Sequence, residues 1–198
     1  MQGKLVYMVG PSGSGKDSVL AALAADLPPD WVIMKRAVTR EETPANAYAE
    51  YLTHEVFRQQ QRQGAFALSW EAHGLIYGIR TELDQHLQAG RLVLVNGSRE
   101  HWEQVKQRYA HASLVWLTVA PELLLQRLQQ RGREALDAIT LRVQRNQHIE
   151  QQFRHRLGAD TSHNVYMLDN SQALDQTVAN LRVQLQQWHK QSVMRKVG

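Results

Sequence analysis

The stretch Gly10-Pro11-Ser12-Gly13-Ser14-Gly15-Lys16-Asp17-Ser18-Val19 decides how the rest of the chain is read. Gly10, four intervening residues, then Gly15 and Lys16 are the start of a phosphate-binding loop. Its surroundings fit the mechanism. Lys4 to Val9 is a short apolar run that reads as a buried strand, and Val19, Leu20, Leu23 and Leu27 follow at helical spacing until Pro28-Pro29. The glycines let backbone N–H groups converge on phosphate oxygens, and the helix N-terminus adds favourable partial charge. Gly10, Pro11, Ser12, Gly13, Ser14, Gly15, Lys16, Asp17 and Ser18 are therefore the candidate nucleotide-binding residues, with Lys16 neutralising the β- and γ-phosphates. The bland alternative is a Gly/Ser-rich turn before a helix. Strand, glycine spacing, lysine and helix occurring together argue against it.

Position 17 departs from the pattern. A Ser or Thr hydroxyl ordinarily follows the lysine and holds Mg²⁺; here Asp17 stands there and Ser18 comes next. Asp17 has two readings. It is a hard oxygen ligand suited to magnesium, or an acidic first-turn residue that only favours the helix dipole. Asp17 and Ser18 are the candidate metal residues.

The chain has 198 residues, 43% of them hydrophobic and 21% charged, which is a globular composition large enough for one domain with a real core. It has no cysteine, which excludes disulfides and thiolate zinc sites and fits a reducing cytoplasm. No apolar run approaches the ~20 residues of a membrane span, and the first ten residues read as a strand rather than a leader. The net charge is +4, but the basic residues are scattered without aromatic interleaving. That pattern suits small phosphorylated ligands better than nucleic acid. Nine histidines offer no HExxH or comparable ligand set, so a zinc site is disfavoured.

Further apolar runs at Trp31–Val38, Leu92–Val95, Leu114–Val119 and Val165–Leu168 read as strands. Helical patterns fill Thr53–Gln63, Ile79–Ala89, Arg99–Tyr109, Pro121–Arg131, Ala135–Leu157 and Leu174–His189. Alternating strands and helices predict an α/β fold with a parallel sheet covered on both faces.

Several segments resemble the guanylate kinase family over nearly the whole length. Val38-Thr39-Arg40 is similar to its Thr-Thr-Arg segment. Gly64-Ala65-Phe66 with Gly74-Leu75-Ile76-Tyr77-Gly78 is similar to its G-x-F … G-x-x-Y-G segment. Arg127-Leu128, Arg131-Gly132-Arg133-Glu134 and Ile139-Thr140-Leu141-Arg142 resemble its lid. The resemblance implies a P-loop kinase with a parallel five-stranded sheet, an acceptor-binding lobe and a helical lid. It assigns residues 1–36, 81–127 and 157–190 to the core, about 37–80 to the lobe and about 128–156 to the lid. It further implies that Arg40, Tyr51 and Tyr77 hold the acceptor phosphate, that Arg131 and Arg142 act with Lys16 in catalysis, and that Asn170, in Asp169-Asn170-Ser171, lies where ATP places its adenine. Arg80 joins the acceptor-binding set as a candidate for a second phosphate, with Arg36 and Arg99 as alternatives.

The departures from that family narrow the reading. Leu68 stands where the family reads guanine with a glutamate, Asn96-Gly97-Ser98 stands for its Asp-x-Asp, and Glu41, Glu42 and Thr43 follow Arg40 where it has a second arginine. A guanine site that loses its carboxylate loses selectivity by orders of magnitude. Together with Leu68–Trp70 and Val93–Arg99, these departures resemble the ribose 1,5-bisphosphate phosphokinase branch. That resemblance implies ATP with Mg²⁺ as donor, a phosphorylated sugar as acceptor, and a place in phosphonate degradation. A nucleoside monophosphate kinase is the alternative. A non-catalytic guanylate kinase-like interaction module is disfavoured by Lys16 and the lid arginines. Trp70, beside the acceptor segment, either packs the core or walls off the space a guanine would fill.

Overall fold

The computed structural model describes residues 3–40, 48–72, 74–130, 136–158 and 164–194. The core is a five-stranded, all-parallel sheet in the order β2 (Trp31–Ile33), β7 (Leu92–Asn96), β1 (Lys4–Val9), β8 (Ser113–Thr118), β9 (Val165–Asp169). The inner strands β1, β7 and β8 are apolar at most positions because both their faces are covered, while the edge strand β9 leaves Val165 and Met167 exposed. Leu5, Tyr7 and Val9 join Val93, Val95, Leu114 and Trp116 on one face, under α3 (Glu82–Gln88) and α4 (Trp102–Arg108). Val6 and Met8 join Leu92, Leu94, Val115 and Leu117 on the other, under α1 (Lys16–Ala24) and α7 (Leu174–Met194). This is the period-two alternation of a strand feeding two cores at once. Each such fully buried aliphatic side chain contributes about 1.5–3 kcal/mol.

A second sheet carries the lobe. Its order is β4 (Ala49–Tyr51), β3 (Arg36–Val38), β6 (Leu75–Arg80), β5 (Phe66–Ala72), and α2 (His54–Arg62) covers one face through Phe57, with Ala37 and Ile76. Thr53 caps α2 by accepting the Val56 N–H, at 3.2 Å.

Three sequence expectations change here. Trp31–Val38 is not one strand. It breaks at Met34-Lys35, and its halves join different sheets. The helix expected from Ile79 starts only at Glu82, because Ile79 and Arg80 complete a strand paired with both β3 and β5. The helix expected from Arg99 opens with a 3-10 turn at Arg99–His101, and α4 proper begins at Trp102.

The remaining helices are α5 (Pro121–Gln130) and α6 (Leu136–Gly158). Leu124 and Leu128 of α5 enclose Ile139 of α6 in a small core of their own. Farther along α6, Phe153 packs edge-on against Trp116 of the main sheet, with centroids 5.2 Å apart. One end of α6 thus belongs to the α5 unit and the other to the sheet.

Candidate active site

The Gly10–Lys16 loop leaves the C-terminal end of β1 and enters α1, at the edge where open parallel sheets bind ligands. Gly15 caps α1 with φ 90°, a left-handed conformation that suits glycine, and a Cβ there would lie 2.6 Å from Asn170 Nδ2. The loop is braced from behind. Asn170 Nδ2 donates to the Ser14 carbonyl at 2.7 Å, and Arg127 donates to the Asn170 carbonyl at 2.9 Å and to the Ser14 carbonyl at 3.4 Å. Lys16 Nζ donates to the carbonyls of Gly10 and Pro11, at 2.8 and 2.9 Å. Ser12, Asp17 and Ser18 are exposed along the outer side of the loop and first helical turn.

Asn170 therefore differs from its expected role. It is 3% exposed, and its side-chain amide is committed to the loop carbonyl rather than presented to a base. Arg127, which the sequence reading left out of the site, is the second brace. Neither role is local: both residues reach the loop from elements more than a hundred residues away.

The structure brings together two of the departures noted in the sequence. Asn96, at the end of β7, donates its Nδ2 to Asp17 Oδ1 at 2.7 Å. Asn96 Oδ1 is buried with no hydrogen-bond partner among the described residues. Asn96 thus turns its amide nitrogen to Asp17 and fixes the carboxylate, whose oxygens are hard donors at the first turn of α1, a chemistry that fits magnesium. Among the described residues no cluster of three His, Cys, Asp or Glu side chains forms a dedicated metal cage.

The second sheet presents a row across all four strands. Tyr51 lies opposite Val38, Val38 opposite Tyr77, and Tyr77 opposite Trp70. Residues opposed in this way project from one face. Arg36, two residues before Val38, shares that face, and its guanidinium lies 5.0 Å from the Tyr77 ring centre. Trp70 stacks on Tyr77 at 5.6 Å and on His101 at 5.3 Å, so Arg36, Tyr77, Trp70 and His101 form a continuous column. Arg40 lies over Tyr51 at 5.6 Å. The Nε atoms of Arg36 and Arg40 are buried with no hydrogen-bond partner among the described residues. Burial holds the His101 imidazole below its ordinary pKa.

Leu68 shares this face, opposite Ile79 and two residues from Trp70, and is buried among Met34, Trp70 and Ile79. The position that would read a base therefore offers only carbon.

Arg80 is a correction. Side chains alternate along β6, so Tyr77 and Ile79 lie on the side of Leu68 and Trp70, where Ile79 is buried in the main core, while Gly78 and Arg80 face α2. Arg80 forms a bidentate ion pair with Glu50, donates to Gln60 of α2 at 2.9 Å, and lies over Phe66. It braces the lobe from the far side and is not an acceptor ligand.

Arg142 is half-buried on α6, three residues after the buried Ile139 and four before the buried Asn146, on the face turned to the rest of the protein. Arg131 lies outside the described residues, as do Glu41, Glu42 and Thr43.

A family model described as an AAA domain matches residues 6–148. The chain is 44% identical over 190 residues to "Ribose 1,5-bisphosphate phosphokinase PhnN" of Pseudomonas fluorescens (strain SBW25), covering 96% of this chain and 98% of that one. It is 46% identical over 153 residues to the protein of the same name from Yersinia pestis, covering 75% and 78%. Among solved structures, guanylate kinase from Anaplasma phagocytophilum is similar with a TM-score of 0.67 and 15% identity, over 93% of this chain and 85% of that one. A gluconokinase from Sinorhizobium meliloti 1021 is similar with a TM-score of 0.55 and 17% identity, over 98% and 97%. The structural likenesses show a shared P-loop kinase fold. The sequence likeness to the Pseudomonas fluorescens protein runs over nearly the whole chain, and on that ground the chain belongs to the ribose 1,5-bisphosphate phosphokinase family.

Proposed function

We propose that this protein transfers the γ-phosphoryl group of ATP to the 1-phosphate of ribose 1,5-bisphosphate, giving 5-phosphoribosyl 1-diphosphate and ADP, as a step in phosphonate degradation. The observation that carries the reading is a phosphate loop that keeps its glycines and Lys16, together with a base-reading position filled by the buried Leu68. The similarity to relatives bearing the phosphokinase name supports it.

In this reaction an oxygen of the acceptor phosphate bonds to the γ-phosphorus while the bond to the β–γ bridging oxygen breaks. ADP leaves with that electron pair. The nucleophile is already ionised, so no general base is needed, and catalysis reduces to alignment and charge neutralisation. Lys16 turns from the loop carbonyls to the β- and γ-phosphates. Arg40 and Tyr77, with Tyr51 beside Arg40, hold the acceptor phosphate. Arg142 and Arg131 come from the lid, residues 128–156, to stabilise charge on the transferring group. Residues 37–80 form the acceptor lobe, and the other segments form the core. Closure of the lid excludes water and with it ATP hydrolysis.

Asp17 and Ser18 would hold Mg²⁺, directly or through water, with Asn96 orienting the Asp17 carboxylate. The ion supplies charge neutralisation on the donor phosphates.

An ADP-release assay tests the reading with ribose 1,5-bisphosphate, GMP and AMP as acceptors. Turnover is expected with the ribose bisphosphate and not with the nucleotides. A preference for GMP would overturn the assignment of Leu68. No turnover with any acceptor would favour a non-catalytic module.

A further inference from the structure

The geometry points to Arg99 and Asn146 as a buried anion site that takes the second phosphate of the acceptor, the one on C5. This inference rests on the ribose 1,5-bisphosphate reading and names a subsite within it.

Arg99 begins the 3-10 turn beyond β7, and Asn146 lies near the middle of α6. They are 7% and 8% exposed. Arg99 Nη2 donates to Asn146 Oδ1 at 3.1 Å. A guanidinium only donates, so the amide oxygen must face it and the amide NH₂ must turn away. Arg99 Nη1 and Asn146 Nδ2 are then both buried, and neither has a hydrogen-bond partner among the described residues. Buried side-chain donors in native proteins are nearly always satisfied, and each exception needs a reason. Here two exceptions belong to bonded neighbours, both are donors, and one carries a charge.

Arg99 also lacks a counterion. Glu100 and Glu150 act on it through space, but no carboxylate forms an ion pair with it among the described residues. Burial accordingly pulls its pKa down. Arg80, a partly exposed arginine of the second sheet, is by contrast matched by Glu50. A buried cation normally comes with a partner. The group missing here is a negatively charged acceptor able to take donors from two sides, and a phosphate meets that description.

Placement says which phosphate. The Ser98 N–H, immediately before Arg99, donates to the Tyr7 hydroxyl at 3.1 Å, and Arg36 acts on that same hydroxyl. Two residues after Arg99, His101 stacks on Trp70. The turn is thus continuous with the Arg36–Tyr77–Trp70 column that lines the acceptor cleft. From the opposite side, Asn146 follows Arg142 by one helical turn, which separates their Cβ atoms by about 6 Å. The anion site therefore lies between the acceptor-phosphate residues and the lid arginine. An acceptor held by one phosphate at Arg40 and Tyr77 has its other phosphate to place, and a nucleoside monophosphate has none. Occupancy would also tie α6 to the β7 turn, because each contributes one of the two donors. Arg99 touches no reacting atom; it selects and orients.

The test compares the full-length wild-type protein with Arg99→Met, which keeps an apolar stem and removes every donor, and with Asn146→Leu. In the ADP-release assay, Arg99→Met is expected to raise KM for ribose 1,5-bisphosphate by about 100-fold, and Asn146→Leu by about tenfold, with KM for ATP unchanged. The preference for ribose 1,5-bisphosphate over ribose 1-phosphate, which lacks the C5 phosphate, should fall by the same factors. If Arg99→Met does not fold, Arg99→Lys replaces it; a charge without the fork should cost about tenfold on the bisphosphate alone. An unchanged preference, or an equal loss on both acceptors, would overturn the site and leave Arg99 a structural support. A second arm needs no turnover: ribose 5-phosphate alone should raise the Tm of the wild type and not of the Arg99 variant. If the wild type binds ribose 5-phosphate in this way yet turns over no ribose 1,5-bisphosphate, the functional reading fails and the anion site stands. If ribose 5-phosphate stabilises wild type and variant equally, the anion site fails whatever the enzyme phosphorylates.

Discussion

Replacing Asn170 with Ala removes a buried amide whose Nδ2 holds the Ser14 carbonyl at 2.7 Å. Asn170 is 3% exposed, so water does not replace the lost bond, and only the longer 3.4 Å contact from Arg127 is left on that carbonyl. Leaving a buried acceptor short of its partner costs about 1–3 kcal/mol. For a domain of this size each kcal/mol lowers Tm by about 2–4 °C. The same change lets the phosphate loop relax, which should raise KM for the donor nucleotide by about tenfold. The assay is a thermal melt paired with ADP- and GDP-release kinetics using ATP and GTP. A brace predicts lower Tm and an equal loss with both donors, because both carry the same phosphates. An adenine contact, the role suggested by family resemblance, predicts an unchanged Tm and a loss confined to ATP. That second pattern would refute the reasoning.

Other predictions follow from the same geometry. Asp17→Asn keeps the hydrogen bond from Asn96 but removes the charge, and should raise the Mg²⁺ concentration for half-maximal rate by about tenfold or more; an unchanged magnesium titration would assign Asp17 to the helix dipole alone. A Cβ at Gly97 would sit 1.9 Å from the Tyr7 ring, so Gly97→Ala should cost about 3 kcal/mol or more in denaturant unfolding, and a variant of wild-type stability would contradict that packing. Burial lowers the pKa of His101, and burial with Arg91 lowers that of His86, while both titrate near 6.5 when unfolded. The unfolded chain therefore binds more protons just below that value, so stability is fully present above it and falls as pH decreases through it. His101→Phe preserves a ring against Trp70 and should flatten this slope in part, His86 supplying the rest; an identical pH profile would remove His101 from the account.

The phosphate loop was legible because everything that makes it is local. Its strand, glycines, lysine and helix lie within about twenty consecutive residues, and their period and spacing are visible without partners. The inner strands of the parallel sheet were legible for a related reason: a strand buried on both faces must be apolar at nearly every position, as Leu5 to Val9 and Leu92 to Val95 are. The lobe was not. Its hairpin, Phe66–Ala72 with Leu75–Arg80, mixes polar and apolar residues because its two faces meet different surroundings, one α2 and the other the cleft. A register irregularity between Phe66 and Leu68 further breaks the alternation that would mark β5 as a strand.

By itself the sequence determined that this is a P-loop α/β protein, and the identities of Asp17, Leu68 and Asn96 set it apart from a guanine-reading kinase. Tertiary structure alone decided which way side chains point and what they meet. Arg80 and Tyr77 are three residues apart in one strand, yet one braces α2 and the other lines the cleft, because strand alternation counts from the pairing register. Trp31–Val38 reads as one apolar run, but its halves pair with β7 and with β6, strands whose positions depend on the whole chain. Asn96 meets Asp17 across 79 residues, and Arg99 meets Asn146 across 47. Composition and period carry no record of such meetings, since the free energy that selects them comes from burial and hydrogen bonding between elements that only the folded chain brings together.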